Sequence, residues 1–205
     1  QTFHGAIRLC RFGSGGITAI NSLPLEMYLQ SVVCSEMGAD CPAEFLKAHC
    51  IVSRSWLLAQ LENKKNTDFK QKGTACWTDV CAHRHYDVCA DDHCQRYHGI
   101  DQINDAVKKA LQDTRGEVLM HQGAVCDARF SKCCGGITER FSTAWQDSDQ
   151  PYLQPIFDGP ERTSGNTAPV MSESDVRHFI RFAPPVYCNV DDESLLRAVL
   201  PDFDR

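Results

Sequence analysis

The chain has 205 residues, of which 42% are hydrophobic and 23% charged, so a folded domain with its own core is expected and wholesale disorder is excluded. Lys and Arg total 21 against 27 Asp and Glu, a formal charge of -6, and no basic stripe is visible, which excludes the nucleic-acid binders. No apolar run approaches the roughly 18 residues of a membrane span, and the basic stretch from Asn63 to Lys72, broken by Asp68, reads as a solvated loop.

In chain order, residues 3–21 predict a hairpin: Phe3, Ile7 and Leu9, a turn around Gly13, Gly15 and Gly16, then Ile17 to Ile20. Pro24 opens a helix on which Leu25, Leu29, Val32 and Val33 share a face, and Gly38 stops it just after Glu36. Asp40 and Pro42 start a second helix, so apolar around its circumference (Phe45, Leu46, Ile51, Val52, Leu57, Leu58, Leu61) that it should be largely buried. A polar, Cys- and His-rich excursion fills 63–100. A helix follows over Ile103 to Asp113, then strands over 117–121 and 124–130 about Gln122-Gly123, and a Gly-Gly turn at 135–136 leading into a strand-like Ile137 to Ser142. Ser172 caps a C-terminal helix with Asp175 three residues on. The class is α+β: two N-terminal helices packed with short antiparallel strands, a Cys/His-rich insertion and a C-terminal helix. The first residue is Gln and the end at Arg205 is abrupt, so the chain reads as a trimmed piece of a longer one.

Twelve cysteines are the unusual feature of the composition. They fit disulfides in an oxidising compartment or metal ligands mixed with buried thiols. The densest group holds Cys76, Cys81, His83, His85, Cys89, His93, Cys94 and His98. Thiolates and imidazoles at such short spacing suit tetrahedral zinc, while one or two disulfides with surface histidines fit the spacing too.

Glu36 ends an apolar helix, where half-burial would favour its acid form as a general acid requires; a solvated helix-end residue is the plain alternative. Lys47 and Arg54 stand two turns apart on nearly the same side of the second helix. They form either a cationic site or a pair of side chains that reach for water.

Several pieces occur together in order: Leu23-Pro-Leu-Glu-Met-Tyr-Leu-x-x-Val-Val-x-x-Glu-Met, Leu46-Lys-Ala, Arg54-Ser-Trp, Cys94-Gln95-x-Tyr97-x-Gly99, Ala106-Val107, Thr114-Arg-Gly116, Gly135-Gly136-x-Thr138-Glu139, Trp145 and Pro151-Tyr152-Leu153. This set resembles the stage II sporulation protein D family, the SpoIID/LytB domain, over residues 1–160, with 161–205 as an extension of the same domain that the chain end truncates.

The resemblance implies a peptidoglycan lytic transglycosylase that cleaves peptide-free glycan strands between N-acetylmuramic acid and N-acetylglucosamine, leaving 1,6-anhydro ends. Glu36 matches the catalytic glutamate: it protonates the glycosidic oxygen, then takes the proton of the muramic C6 hydroxyl, so the second carboxylate of most glycosidases is not needed. Lys47 and Arg54 match basic residues near the cleft, suited to the lactyl carboxylates of bare glycan, and Gln95 and Tyr97 line the groove.

Some members hold zinc before the Gln-x-Tyr motif, which implies a structural zinc on His83, Cys89, His93 and Cys94, with none required for the chemistry. Partners would be glycan strands and a cell-wall amidase, at an extracytoplasmic location. The rival functions are a non-catalytic amidase enhancer that binds peptidoglycan, and a zinc-dependent wall hydrolase. The chain departs from the pattern at His49 (often Gln), at Ser55-Trp56 (Thr-Tyr) and at Ser131 to Cys134, where His and Ser are usual.

Overall fold

A computed structural model describes residues 1–13, 15–66, 83–145, 148–160, 172–182 and 185–199. Cys76, Cys81 and most of the basic stretch lie outside the described residues. The chain divides into two units, Gln1–Arg129 and Phe130–Arg205.

The first unit opens with the predicted hairpin, β1 (Ala6–Arg11) antiparallel to β2 (Ile17–Ser22), with Leu9 opposite Ala19. Helix α1 (Leu25–Met37) starts where the Pro24 carbonyl accepts the amides of Met27 and Tyr28 at 3.0 and 3.1 Å. It stops at Gly38, whose φ of +89° a side chain would disfavour. Helix α2 (Ala43–Asn66) lies against α1, and α3 (Asp105–Asp113) packs on both. The α3 start is fixed by Asn104, whose side chain accepts the Val107 amide at 3.0 Å.

The apolar stripes meet in one core. Leu29, Val32 and Val33 of α1, Leu46 and Cys50 of α2, and Val107 of α3 are all fully enclosed. Each such aliphatic side chain contributes about 1.5–3 kcal/mol by leaving water. Helix α2 is less uniformly buried than its apolar sequence implied. Phe45 is exposed, while His49, Ser53, Arg54, Ser55 and Gln60 are buried. Several of these polar groups dock a neighbouring segment. Ser55 Oγ accepts the Leu119 amide at 2.8 Å, and Gln60 Nε2 donates to Asp127 Oδ1 at 2.9 Å.

Strands β3 (Met120–His121) and β4 (Ala124–Val125) pair across Gln122 and Gly123, both at positive φ, the geometry of a tight hairpin. They are shorter than the sequence suggested. Just beyond them the Cys126 amide still donates to the Leu119 carbonyl at 2.9 Å, and Asp127 is drawn into a pair with Arg129 at 2.8 Å.

The second unit corrects the reading of 137–142 as a strand. Among the described residues one bridge forms there, Ile137 to Phe157, and Phe141–Ala144 is a short helix, α4. The Thr138 side chain explains the break, because its Oγ1 accepts the Ile156 amide at 2.8 Å where a ladder would need backbone. Helix α5 (Glu173–Phe182) carries the predicted cap: the Asp175 amide donates to Ser172 Oγ at 3.2 Å and Asp175 Oδ2 accepts the Ser172 amide at 2.9 Å. A further helix, α6 (Glu193–Val199), which the sequence reading did not anticipate, starts at Asp192, whose Oδ1 accepts the Ser194 amide at 2.9 Å. No helix among the described residues is long and apolar enough to cross a membrane.

Candidate functional site and metal cluster

Five residues, Cys94 to His98, run past the C-terminal half of α1 and assemble the site. The Arg96 backbone N–H donates to Glu36 Oε1 at 2.7 Å, and the His98 N–H donates to Ser35 Oγ at 3.2 Å. Glu36 is half-buried there. Between these anchors the chain turns Gln95 inward, where it is 1% exposed. Its Oε1 accepts the Tyr28 hydroxyl at 3.2 Å and its Nε2 donates to the Ser53 carbonyl at 3.3 Å, so one side chain joins α1 to α2. Tyr97 is buried as well, stacked 5.4 Å from Tyr28, with its hydroxyl donating to Asn21 Oδ1 of β2.

Burial pushes the Tyr28 phenol far up from its ordinary value, and the negative groups of Cys94 and Glu36 push it further. Tyr28 is therefore a standing hydrogen-bond donor to Gln95 rather than a titrating group. Glu26, Tyr28 and the Arg96 amide were not singled out from the sequence. The first two lie inside the Leu-Glu-Met-Tyr-Leu stretch quoted above, which was the available signal.

The two cations of α2 are placed differently. Lys47 is half-exposed, 2.8 Å from Glu44 Oε1 and 4.0 Å from Asp113 Oδ2, and the Glu44 hydrogen bond raises its pKa. Arg54 is 1% exposed. Its Nε and Nη2 donate to the two oxygens of Glu26 at 2.9 and 2.8 Å, a bidentate pair, and Nη1 donates to the Glu117 carbonyl at 3.0 Å. The neighbouring charges that seven-residue spacing suggested thus become one half-exposed ammonium and one enclosed guanidinium.

Cys94 also closes a compact set of donors. His83 Nε2, Cys89 Sγ, His93 Nδ1 and Cys94 Sγ all lie within 4.8 Å of one another, positioned for metal coordination. Tetrahedral zinc with Zn–S near 2.3 Å and Zn–N near 2.0–2.1 Å places its donors about 3.3–3.8 Å apart. The separations here are 3.2 Å between the two histidines, 3.4 Å from Cys94 to each, and 3.8 Å from Cys89 to His93. The fit extends outward, since the Cys89 amide donates to Cys94 Sγ at 3.4 Å and steadies a thiolate ligand. Burial, then the charges of His93 and Lys64, lower the His83 pKa and favour the neutral ring that a metal requires.

His85 stands apart, stacked on Phe12 with ring centres 3.7 Å apart. No disulfide joins cysteines among the described residues. A cleft of about 1010 Å³ borders the cluster on the hairpin side, lined among others by Phe3, Tyr28, Tyr86, Cys89 and Tyr97. Glu36 is not part of its wall.

Known proteins resemble this chain in sequence. An uncharacterized protein of Brachyspira hyodysenteriae is 29% identical over 121 residues, 58% of this chain and 28% of that protein. Stage II sporulation protein D of Bacillus subtilis is 25% identical over 138 residues, 67% of this chain and 39% of its own. The amidase enhancer of Bacillus subtilis is 27% identical over 127 residues, 61% of this chain and 14% of its own. The chain thus spans well under half the length of these relatives. The profile described as SpoIID, Stage II sporulation protein, matches residues 13–121, which take in α1, α2, the cluster and α3, and on that match the chain belongs to this family.

Proposed function

We propose that this domain engages peptidoglycan in the manner of an amidase enhancer: it binds glycan strands and promotes their processing by a wall amidase, outside the cytoplasm. The observation that carries this reading is the internal use of the polar groups expected to line a catalytic groove. Arg54 and Gln95 are each 1% exposed and tied to other parts of the protein, so they build a scaffold rather than grip a sugar. Half-exposed Lys47 and Glu36 remain as polar contacts toward a glycan. A metal on His83, Cys89, His93 and Cys94 would supply folding energy and hold the Cys94–His98 segment against α1. Four protein donors leave no open coordination position, which argues against a zinc hydrolase.

A second reading, lytic transglycosylase activity, draws on the placement of Glu36. This carboxyl is half-buried, and the Arg96 backbone amide holds one of its oxygens at 2.7 Å. In that role Glu36 first protonates the leaving oxygen. It then accepts the proton of the C6 hydroxyl as that oxygen closes on C1 of the same sugar. Arg54 contributes indirectly by fixing Glu26 and the α1–α2 contact, and Lys47 pairs with the lactyl carboxylate.

Incubation of peptide-free glycan strands with wild type and Glu36→Gln, followed by mass spectrometry and a sedimentation binding assay, separates the two. Binding by both proteins without cleavage is the enhancer result. Anhydro-muramyl products made by wild type and lost in Glu36→Gln replace it with the transglycosylase.

A further inference from the structure

The unit that begins at Phe130 gathers a second set of thiols. Asp158 donates its backbone N–H to the Gly136 carbonyl at 2.8 Å, and Tyr187 donates its own to the Asp158 carbonyl at 3.1 Å. Gly136 has φ +96°, and a Cβ there would stand 2.5 Å from Val186 Cγ1, so glycine is what lets these segments close. The approach sets Cys133 and Cys134, just before the turn, beside Cys188, just after Val186.

The Cys188 thiol lies near those of Cys133 and Cys134. Cys134 Sγ accepts the Gly136 amide at 3.3 Å and lies 3.5 Å from Asp158 Oδ2. Cys133 and Cys188 are exposed and Cys134 is half-buried. The crowding also shows in the Cys188 pKa, pushed up to about 11 by desolvation and then by the neighbouring Cys133 thiol. The family likeness does not account for this group, since the chain departs from the family pattern over Ser131 to Cys134.

We propose that Cys133, Cys134 and Cys188 form a thiol–disulfide site, in which Cys188 is oxidised to a disulfide with one of the adjacent pair and the other cysteine of the pair exchanges with it. A bond within the pair is disfavoured, because consecutive Cα atoms stand about 3.8 Å apart whereas disulfides favour about 4.4–6.8 Å. The co-reactant is a low-molecular-weight disulfide such as glutathione disulfide. A protein thiolate attacks one of its sulfurs, releases one glutathione thiolate and leaves a mixed disulfide. A second protein thiolate then displaces the other glutathione. Two protein thiols lose two electrons and two protons, and two glutathione thiols form. The product ties the segment around Cys188 to the Gly-Gly turn. This inference is independent of the cell-wall reading.

Peptide mapping of the full chain after equilibration with glutathione and its disulfide tests it. Tryptic cleavage after Lys132, Arg140, Arg181 and Arg197 places the pair in peptide 133–140 and Cys188 in peptide 182–197. The expected result is a cross-linked species of these two peptides in wild type, Cys133→Ser and Cys134→Ser, lost in Cys188→Ser and in the Cys133→Ser/Cys134→Ser double variant. Absence of the cross-link in wild type under oxidising conditions overturns the site. Its loss in either single variant of the pair overturns the exchange.

Discussion

Helix α1 carries two glutamates whose surroundings differ in kind. Glu26, in its first turn, gives both oxygens to the enclosed guanidinium of Arg54, whereas Glu36, in its last turn, has one oxygen held by the Arg96 amide and stays half-buried. At about 100° per residue, positions 26 and 36 project about 80° apart, so one carboxylate meets α2 while the other meets the Cys94–His98 segment. The lesson is that a carboxylate's neighbours, and not its place on an amphipathic helix, decide its task. The first end is scaffold. The second is where the proposed function puts the glycan.

The sharpest way to break this comparison is Glu26→Ala. It leaves the Arg54 charge enclosed without its partner, and a loss of about 3–5 kcal/mol in denaturant unfolding is expected. Arg54→Ala should cost less, because Glu26 is 31% exposed on its side chain and can hydrate. Next comes the metal. Zinc held at 100-fold over its Kd adds about 2.7 kcal/mol. Removing it by chelation should lower Tm accordingly, and Cys94→Ser should show no response to chelator. One zinc per chain at this cluster, by elemental analysis, is the matching stoichiometry.

A smaller effect concerns pH. Burial lowers His49 to about 4, below the ordinary histidine value, so the unfolded chain binds the proton more readily than the folded one. Stability therefore falls as pH drops from about 6.5 toward 4, by about 2 kcal/mol between pH 6.5 and 5. His49→Gln should flatten that limb relative to wild type, measured on metal-free protein. The smallest expected effect is Glu36→Gln, which keeps an acceptor for the Arg96 amide and should cost about 1 kcal/mol or less. A large stability loss there would make Glu36 scaffold like Glu26 and erase the contrast.

Much of this was legible from local signals. Pro24, Gly38 and Ser172 mark helix ends by caps and stops whose chemistry acts within four residues, and the α1 stripe followed from its spacing. The crowding of Cys and His between 76 and 98 was legible, and the family resemblance pointed within it to His83, Cys89, His93 and Cys94. What escaped depends on contacts between distant segments. That Arg54 turns inward rests on Glu26 and on the Glu117 carbonyl, and periodicity assigns a side of the helix without saying what waits there. Gln95 looked like groove lining from its motif, yet Tyr28 and Ser53 claim it. The strand expected at 137–142 failed for a similar reason, since Thr138 bonds through its side chain. The meeting of Cys188 with Cys133 and Cys134 is set by a glycine approach between remote segments.

The central claim is tested most directly by measuring stem-peptide release from intact sacculi by a wall amidase, with and without this domain. Faster release, equal for wild type and Glu36→Gln, is the result the enhancer reading requires. Unchanged release, together with anhydro-muramyl ends that appear with wild type and not with Glu36→Gln, would contradict it.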